Sequence, residues 1–375
     1  MIFGIPKEIR NQELRVGAMP FLVKEIVRRG HQVIVENDAG EDCEAPDSRY
    51  ERMGATIVPS AEKLYSAAEI ILKVREPQPV EIELIRPDQV VFSFFHFISN
   101  TELLKTLAGR GCTCLSYEFV EDASGMHPII RPLSRITGQL AVMNGAHYLQ
   151  KHHGGRGIVL GRVTGSPPAQ VTILGAGNVG NQAAITAANM GARVTVLDNN
   201  YVKLQELDLL GHQNLTTLIS TEDHLKELLP ETDLLITCIQ VPDKPTPKLI
   251  TTEMVRTMRP GSVIVDVDVD LGGSVETSKV TNHDNPTFIV DEVVHYCVSN
   301  ISASVPKIAS RALSAALMPY LMKIAELGLE KTILSDTGIA NGISLYKGHV
   351  VKKNLAEAVG LPLAELKTKI QELNE

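Results

Sequence analysis

The chain of 375 residues is predicted to be an α/β protein with two doubly wound domains, one inserted into the other. Three observations predict this. In the first third, short apolar runs rich in Val, Ile and Phe alternate with segments whose apolar residues recur at helical spacing, the rhythm of β-α units in a parallel sheet. At 171–200 a strand, a glycine-rich turn, a small-residue helix and a second strand follow one another without interruption. From Ser304 onward a long apolar helical segment could return the chain to the first domain. With 44% hydrophobic residues there is enough apolar matter for sizeable cores.

Taken in order, "PFLVKEIVRRG" (20–30) reads as a helix closed by Gly30, and "HQVIVEND" as a strand. A helix around "SRYERMG", the strand "ATIVP", a helix in "AEKLYSA" and the strand "EIILKV" follow. "QVVFSFFHF" (89–97) is a third such strand carrying one imidazole, His96, which on composition alone reads as a hydrogen-bonded core residue. The helix "NTELLKTLAGRG" and the strand "CTCLSYE" complete a domain running to about residue 130. "SRITGQLAVMNGAHYLQKHHGG" (134–155) reads as a long helix, placing His147, His152 and His153 at its C-terminal end, where the dipole accounts for them better than a metal does.

The segment "VTILGAGNVGNQAAITAANMGARVTVLDNN" carries G-x-G-x-x-G at Gly175, Gly177 and Gly180 directly after a buried strand. Gly175 permits a tight turn, Gly177 lets backbone approach a pyrophosphate, and Gly180 lets the helix pack close to the strand. The helix start, Asn178 and Val179 included, then offers unpaired N–H groups to the phosphates. Asp198 ends the second strand about twenty residues on, placed to accept hydrogen bonds from an adenosine ribose. These parts together predict a Rossmann NAD-binding domain; the carboxylate of Asp198 repels a 2′-phosphate, so NAD is favoured over NADP. Beyond it, "TDLLITCIQVP" (232–242), "GSVIVDVDVD" (261–270) and "PTFIVDEVVHYCVSNI" (286–301) read as one strand each, with the helix "TTEMVRTMRP" between the first two. The predicted division is a discontinuous substrate and catalytic domain, 1–130 and 305–375, with the Rossmann domain, 131–304, inserted into it.

Several classes are disfavoured. A formal charge of −8 argues against general affinity for nucleic acid or an anionic membrane. Pro6 and nearby charged residues make the N-terminus a poor secretory signal, and no apolar run approaches the twenty or so residues that span a bilayer. The five cysteines (Cys43, Cys112, Cys114, Cys238, Cys297) contain no C-x-x-C pair and read as small buried thiols, which fits a reducing, cytoplasmic compartment.

The chain resembles the alanine dehydrogenase family, and more distantly the NAD-binding domain of proton-translocating transhydrogenase. The resemblance runs through "GIPKEIRNQELRV" (4–16), "ILKVREP" (71–77), "FSFFHF" (92–97), "LSYEFVED" (115–122), the whole glycine-rich unit, 247–273 and "VVHYCVSNISASVPKIAS" (293–310). It implies a hexameric, NAD-dependent enzyme that interconverts an L-amino acid with its 2-oxo acid and ammonia. Carried over position by position, it implies Arg15 on the substrate carboxylate and His96 and Asp270 as the catalytic pair. Arg75 and Asn300 then fall on the substrate side, and Ser134 and Lys203 on cofactor-contacting positions. No metal is implied.

Departures from the family pattern gather at the substrate side. Arg75 stands where the family has lysine; it can hold a carboxylate but cannot shuttle a proton, and beside Glu76 it also reads as a surface ion pair. In "VDVDVD", Asp266, Asp268 and Asp270 alternate and would share one strand face, where a second carboxylate beside Asp270 would raise a pKa by like-charge repulsion. A straight strand spreads three such acids too widely for one metal cage. Leu271, Gln240 and Ile301-Ser302 also differ from the family pattern, as does "PLSRITGQ" (132–139). Besides alanine dehydrogenase, two readings stay open: an NAD-dependent oxidoreductase of another small 2-oxo acid or imine, and a non-catalytic, transhydrogenase-like NAD-binding module.

Overall fold

The computed structural model describes residues 1–240 and 246–372. The chain forms two compact units, Met1–Leu133 with Ala303–Glu375, and Ser134–Ser302. Six strands come first: β1 (Ile2–Ile5), β2 (Gln32–Glu36), β3 (Thr56–Val58), β4 (Ile70–Arg75), β5 (Val90–Phe94) and β6 (Thr113–Ser116). The second unit holds β7 (Gln170–Leu174), β8 (Arg193–Asp198), β9 (Leu215–Ile219), β10 (Leu234–Thr237), β11 (Val263–Asp266), β12 (Thr287–Val290) and β13 (Val293–Tyr296). The last two, β14 (Ile343–Tyr346) and β15 (His349–Val350), belong to the first unit again.

The first sheet runs β15-β14-β6-β5-β4-β1-β2-β3 and the second β12-β13-β11-β10-β7-β8-β9. β1–β6 pair in parallel, and so do β7–β11 and β13; β12 joins β13 antiparallel, and β14 and β15 extend the first sheet antiparallel. Parallel strands are covered on both faces, which is why β4 and β5 are near-continuous apolar runs with side chains almost wholly buried. In both sheets the order reverses beside the first strand, between β1 and β4 and between β7 and β10. Such reversals open a crevice at the carboxyl ends of the strands, where doubly wound folds bind ligands.

The α/β expectation holds, with local differences. β1, an interior strand of its sheet, β9 and the pair β14–β15 are strands that the hydrophobic periodicity does not reveal. Residues 286–301 form a hairpin, not one strand, because Asp291 and Glu292 take φ of 47° and 61°, the left-handed pair that a two-residue turn requires. "VDVDVD" is strand only to Asp266; the chain then turns into a short 3-10 segment, Val269–Leu271, so the three acids do not share a strand face. The turn is tied by the buried Asp266 carboxylate, which accepts from Thr237 Oγ1 at 3.0 Å and from the backbone of Val275 at 3.3 Å. The long helix spans Ile130–Tyr148, leaving His152 and His153 in a separate turn, Lys151–His153, where the His153 ring packs 4.0 Å from that of His147. Of the strand expected over 232–242, Val241 and Pro242 lie outside the described residues.

Candidate active site

In the first unit the crevice residues come from the ends of three strands. After β1 the chain runs out through Glu8, Arg10 and Glu13 to Arg15 and then turns into the helix Pro20–Arg28. Ser310 and Ser314, on the helix Pro306–Leu327, accept from the backbone N–H of Val16 (2.9 Å) and Met19 (2.8 Å) and pin this loop. A Cβ on Gly17 would lie 2.2 Å from the Leu72 carbonyl, so the loop lies directly against β4. Arg15 is almost fully buried, and its Nε and Nη2 each donate to a Glu13 oxygen at 2.6 Å. This two-point hold fixes the plane of the guanidinium.

β4 delivers Arg75. Its Nη1 lies 3.1 Å from His96 Nε2 and its Nε 3.0 Å from Glu76 Oε2, while Glu76 Oε1 accepts from Arg10 Nη1 at 2.8 Å. At 12% exposure the Arg75 side chain is not in a surface ion pair; that reading is corrected. Below it, a fully buried lysine, Lys73, donates to Glu8 at 3.0 Å and Glu81 at 2.7 Å. The other oxygen of Glu8 accepts from the Val74 N–H at 2.6 Å, so the buried pair anchors the tip of β4. Burial works to lower the Lys73 pKa, but Glu8, Tyr65 and Glu81 outweigh it and the net shift is upward.

His96 lies two residues past the end of β5, not within the strand, with φ of 51°. Left-handed backbone costs a non-glycine residue on the order of 1–2 kcal/mol, so the surroundings must hold it there. Its carbonyl accepts from Ser99 N (3.0 Å), Asn100 N (3.1 Å) and Ser99 Oγ (3.0 Å). Its own N–H donates to Glu118 Oε1 at 2.8 Å, and that of Phe95 to the same oxygen at 3.2 Å. The ring is half-buried, not sealed in the core. Burial first, then Arg75, Arg10 and Arg15, push its pKa down to about 3, so the imidazole is neutral at physiological pH. Arginine only donates, so Nε2 accepts from Arg75 and the ring proton sits on Nδ1.

In the second unit, Gly175 sits at φ 110°, and a Cβ there would meet the Cys238 carbonyl at 2.4 Å. Gly177 precedes the helix Asn178–Asn189, whose first residues are Asn178 and Val179. A Cβ on Gly180 would fall 1.7 Å from the Gly175 carbonyl, so the helix touches the turn through bare backbone. A Cβ on Gly177 would meet nothing within 4 Å, leaving an open face beside the helix start. Asp198 is buried at the tip of β8, accepting from Ala176 N (2.7 Å) and Asn200 N (2.8 Å), which ties this carboxylate to the glycine turn. Open backbone, helix N-terminus and oriented carboxylate fit a dinucleotide. Asn200 caps the next helix, Tyr201–Asp208, through the N–H groups of Val202 and Lys203, and so sets the start of the turn bearing Lys203. Ser134 lies in the helix Ile130–Tyr148, in which Gly138 lets the backbone pass close to the Val179 carbonyl.

Asp270 is exposed on the 3-10 segment after β11, and Asn300 takes φ of 57° just before the buried Ile301 and Ser302. Asp268 Oδ2 is buried with no hydrogen-bond partner. Burial, then Asp266 and Asp270, push its pKa up to about 7; the like-charge effect read from the sequence is present but second to burial. Among the described residues, no group of three or more His, Cys, Asp or Glu is arranged to hold a metal ion.

The structure thus brings Arg75 and His96 into hydrogen-bond contact and ties Asp198 to the glycine turn. Sequence reasoning missed Glu13, Glu118 and the Glu8–Lys73–Glu81 network. One signal was legible: a lysine inside the apolar strand "IILKV" needs buried carboxylates.

Models of two domains match the chain: Alanine dehydrogenase/PNT, N-terminal domain, over residues 4–137, and Alanine dehydrogenase/PNT, C-terminal domain, over 141–353. An alanine dehydrogenase of Halomonas elongata is 42% identical over 365 residues, 97% of this chain and 98% of that one. Among solved structures, an L-alanine dehydrogenase superposes with a TM-score of 0.91 at 39% identity, covering 96% of this chain and 99% of that one. The transhydrogenase from Sinorhizobium meliloti gives 0.80 at 26% identity, covering 94% and 99%. With both domain models matched and relatives of this identity aligned nearly end to end, the chain belongs to the alanine dehydrogenase/PNT family.

Proposed function

We propose that this protein is an NAD-dependent L-alanine dehydrogenase, converting L-alanine to pyruvate and ammonia and running the reverse reductive amination. The observation that carries this reading is the neutral His96 ring, hydrogen-bonded to Arg75 and flanked electrostatically by Arg10 and Arg15. Such a cluster suits a small anion with a reacting carbonyl or amine beside its carboxylate. Arg15, held planar by Glu13, takes the carboxylate. A bound carboxylate offsets the arginine field on His96, which raises the proton affinity of the ring when substrate arrives. His96 then exchanges a proton with the reacting oxygen, and Asp270 assists the amine and carbinolamine steps. NAD, when bound at the glycine turn, supplies the hydride acceptor. Gly177 and the start of the helix Asn178–Asn189 receive its pyrophosphate and Asp198 its ribose, with Ser134 and Lys203 as further contacts.

Asn300 completes the substrate side. The family supports a homohexamer, which light scattering of the purified protein tests. No single helix among the described residues is long and apolar enough to cross a membrane, and all five cysteines are free, which supports a cytoplasmic enzyme. A second reading has one observation in its favour: Arg75, the residue on His96, stands where the family has lysine, which fits a related 2-oxo acid as substrate. The test is a spectrophotometric screen of L-amino acids with NAD and NADP, and of 2-oxo acids with NADH and ammonia. L-alanine and pyruvate with NAD are expected to be fastest. Faster turnover of another pair refutes the substrate, and preference for NADP refutes the role of Asp198.

A further inference from the structure

We infer that Glu118 is a positioning residue for the reaction, acting through the backbone of His96 and not through substrate. The inference rests on the dehydrogenase reading of the same site. His96 occupies a left-handed conformation that only glycine adopts freely, and it does so at the point where its ring must meet both Arg75 and substrate. The carbonyl side of the residue is held by Ser99 and Asn100. On the amide side the partner is a single carboxylate oxygen, Glu118 Oε1, which receives the N–H groups of both Phe95 and His96. The second oxygen, Oε2, is buried with no hydrogen-bond partner, so one oxygen carries the whole interaction.

Glu118 belongs to a short 3-10 turn directly after β6, the strand paired with β5. Register between the two strands therefore sets where the carboxylate meets the amides. Charge is not what the arrangement requires. Burial pushes the Glu118 pKa up to about 7, and Arg75 acts on it less than the backbone amides do. What is required is an acceptor at this reach. Glutamine supplies one; aspartate, a methylene shorter, keeps the charge and loses the reach.

The experiment compares Glu118→Gln and Glu118→Asp with the wild-type chain in alanine oxidation, and determines crystal structures of both variants. In Glu118→Asp, kcat is expected to fall by about 10- to 100-fold, the range for a displaced catalytic group. KM for NAD should stay within about twofold, because the two amides belong to the first unit and the dinucleotide turn to the second. Glu118→Gln should restore kcat to within about threefold of wild type. In the crystals, His96 should leave the left-handed region in the Asp variant and keep it in the Gln variant. An Asp variant with wild-type kcat and an unmoved His96 overturns the inference, and so does a Gln variant as slow as the Asp variant. If the wild-type chain oxidises no L-alanine, the substrate reading fails, and the His96 conformation in the two crystals decides this inference by itself.

Discussion

The glycine turn offers a paired test that separates what the fold needs from what the ligand needs. Gly177→Ala and Gly180→Ala add the same methyl group three residues apart, and the structure gives them opposite consequences. At Gly180 the methyl would sit 1.7 Å from the Gly175 carbonyl and 2.9 Å from Cys238 Sγ. The first neighbour is backbone, so the helix Asn178–Asn189 has to retreat from the turn. Overpacking of this kind costs about 1–3 kcal/mol, which at roughly 2–4 °C per kcal/mol for a unit of this size lowers Tm by roughly 2–12 °C.

At Gly177 the methyl meets nothing within 4 Å, and φ of −70° with ψ of −169° is open to alanine. Reduced freedom of the unfolded chain stabilises by about 0.4–1 kcal/mol, and a poorer helix cap removes a comparable ~0.5–1 kcal/mol. The two nearly cancel, so Tm should stay within about 2 °C. NAD affinity should nevertheless fall by about tenfold or more, because the methyl fills the space assigned to the pyrophosphate. Differential scanning fluorimetry reads the first quantity and isothermal titration calorimetry the second; the chain has no tryptophan, so energy transfer from tryptophan to NADH is not an option. A Gly177→Ala protein that binds NAD as tightly as wild type would refute the placement of the pyrophosphate. An unchanged Tm for Gly180→Ala would refute the backbone contact.

Two further outcomes are expected. Replacing Arg75 with methionine removes one of the charges holding the His96 pKa near 3, so the acid limb of kcat/KM for alanine should move to higher pH, though burial keeps it below the ordinary histidine value; an unmoved limb would mean Arg75 does not act on the ring. Asp268 is raised from 3.8 to about 7, so the folded state binds its proton more tightly than the unfolded one. The native protein therefore loses stability as pH rises from about 4 through 7, and Asp268→Asn should raise Tm most at pH 8 and progressively less toward pH 4; an equal gain at both ends would rule out titration as the cause.

Local sequence determined the kinds of element and the cofactor turn. Continuous Val- and Ile-rich runs between helical stretches specify buried parallel strands, and the three glycines with Asp198 specify a turn whose geometry is fixed within thirty residues. Shorter signals failed where a tertiary contact decided the outcome. β1 and β14 are four residues each and are strands because a neighbour pairs with them: Ser344 on β14 meets Ser116 on β6 from 228 residues away. "VDVDVD" has a strand-like alternation but stops at Asp266, whose carboxylate is spent on tying the following turn.

The candidate site positions were legible through resemblance, but their environment was not. That Arg75 would reach His96 and leave the surface, that Glu13 would hold Arg15, and that Glu118 would take two amides 22 and 23 residues away are facts of which strands lie side by side. A side chain's pKa and reach depend on neighbours brought in by the sheet order, and the one-dimensional pattern carries no term for them. Sequence alone determined the parts and the dinucleotide turn; the packing of β1, β4 and β5 at the reversal of the first sheet decided that an imidazole among arginines would be neutral.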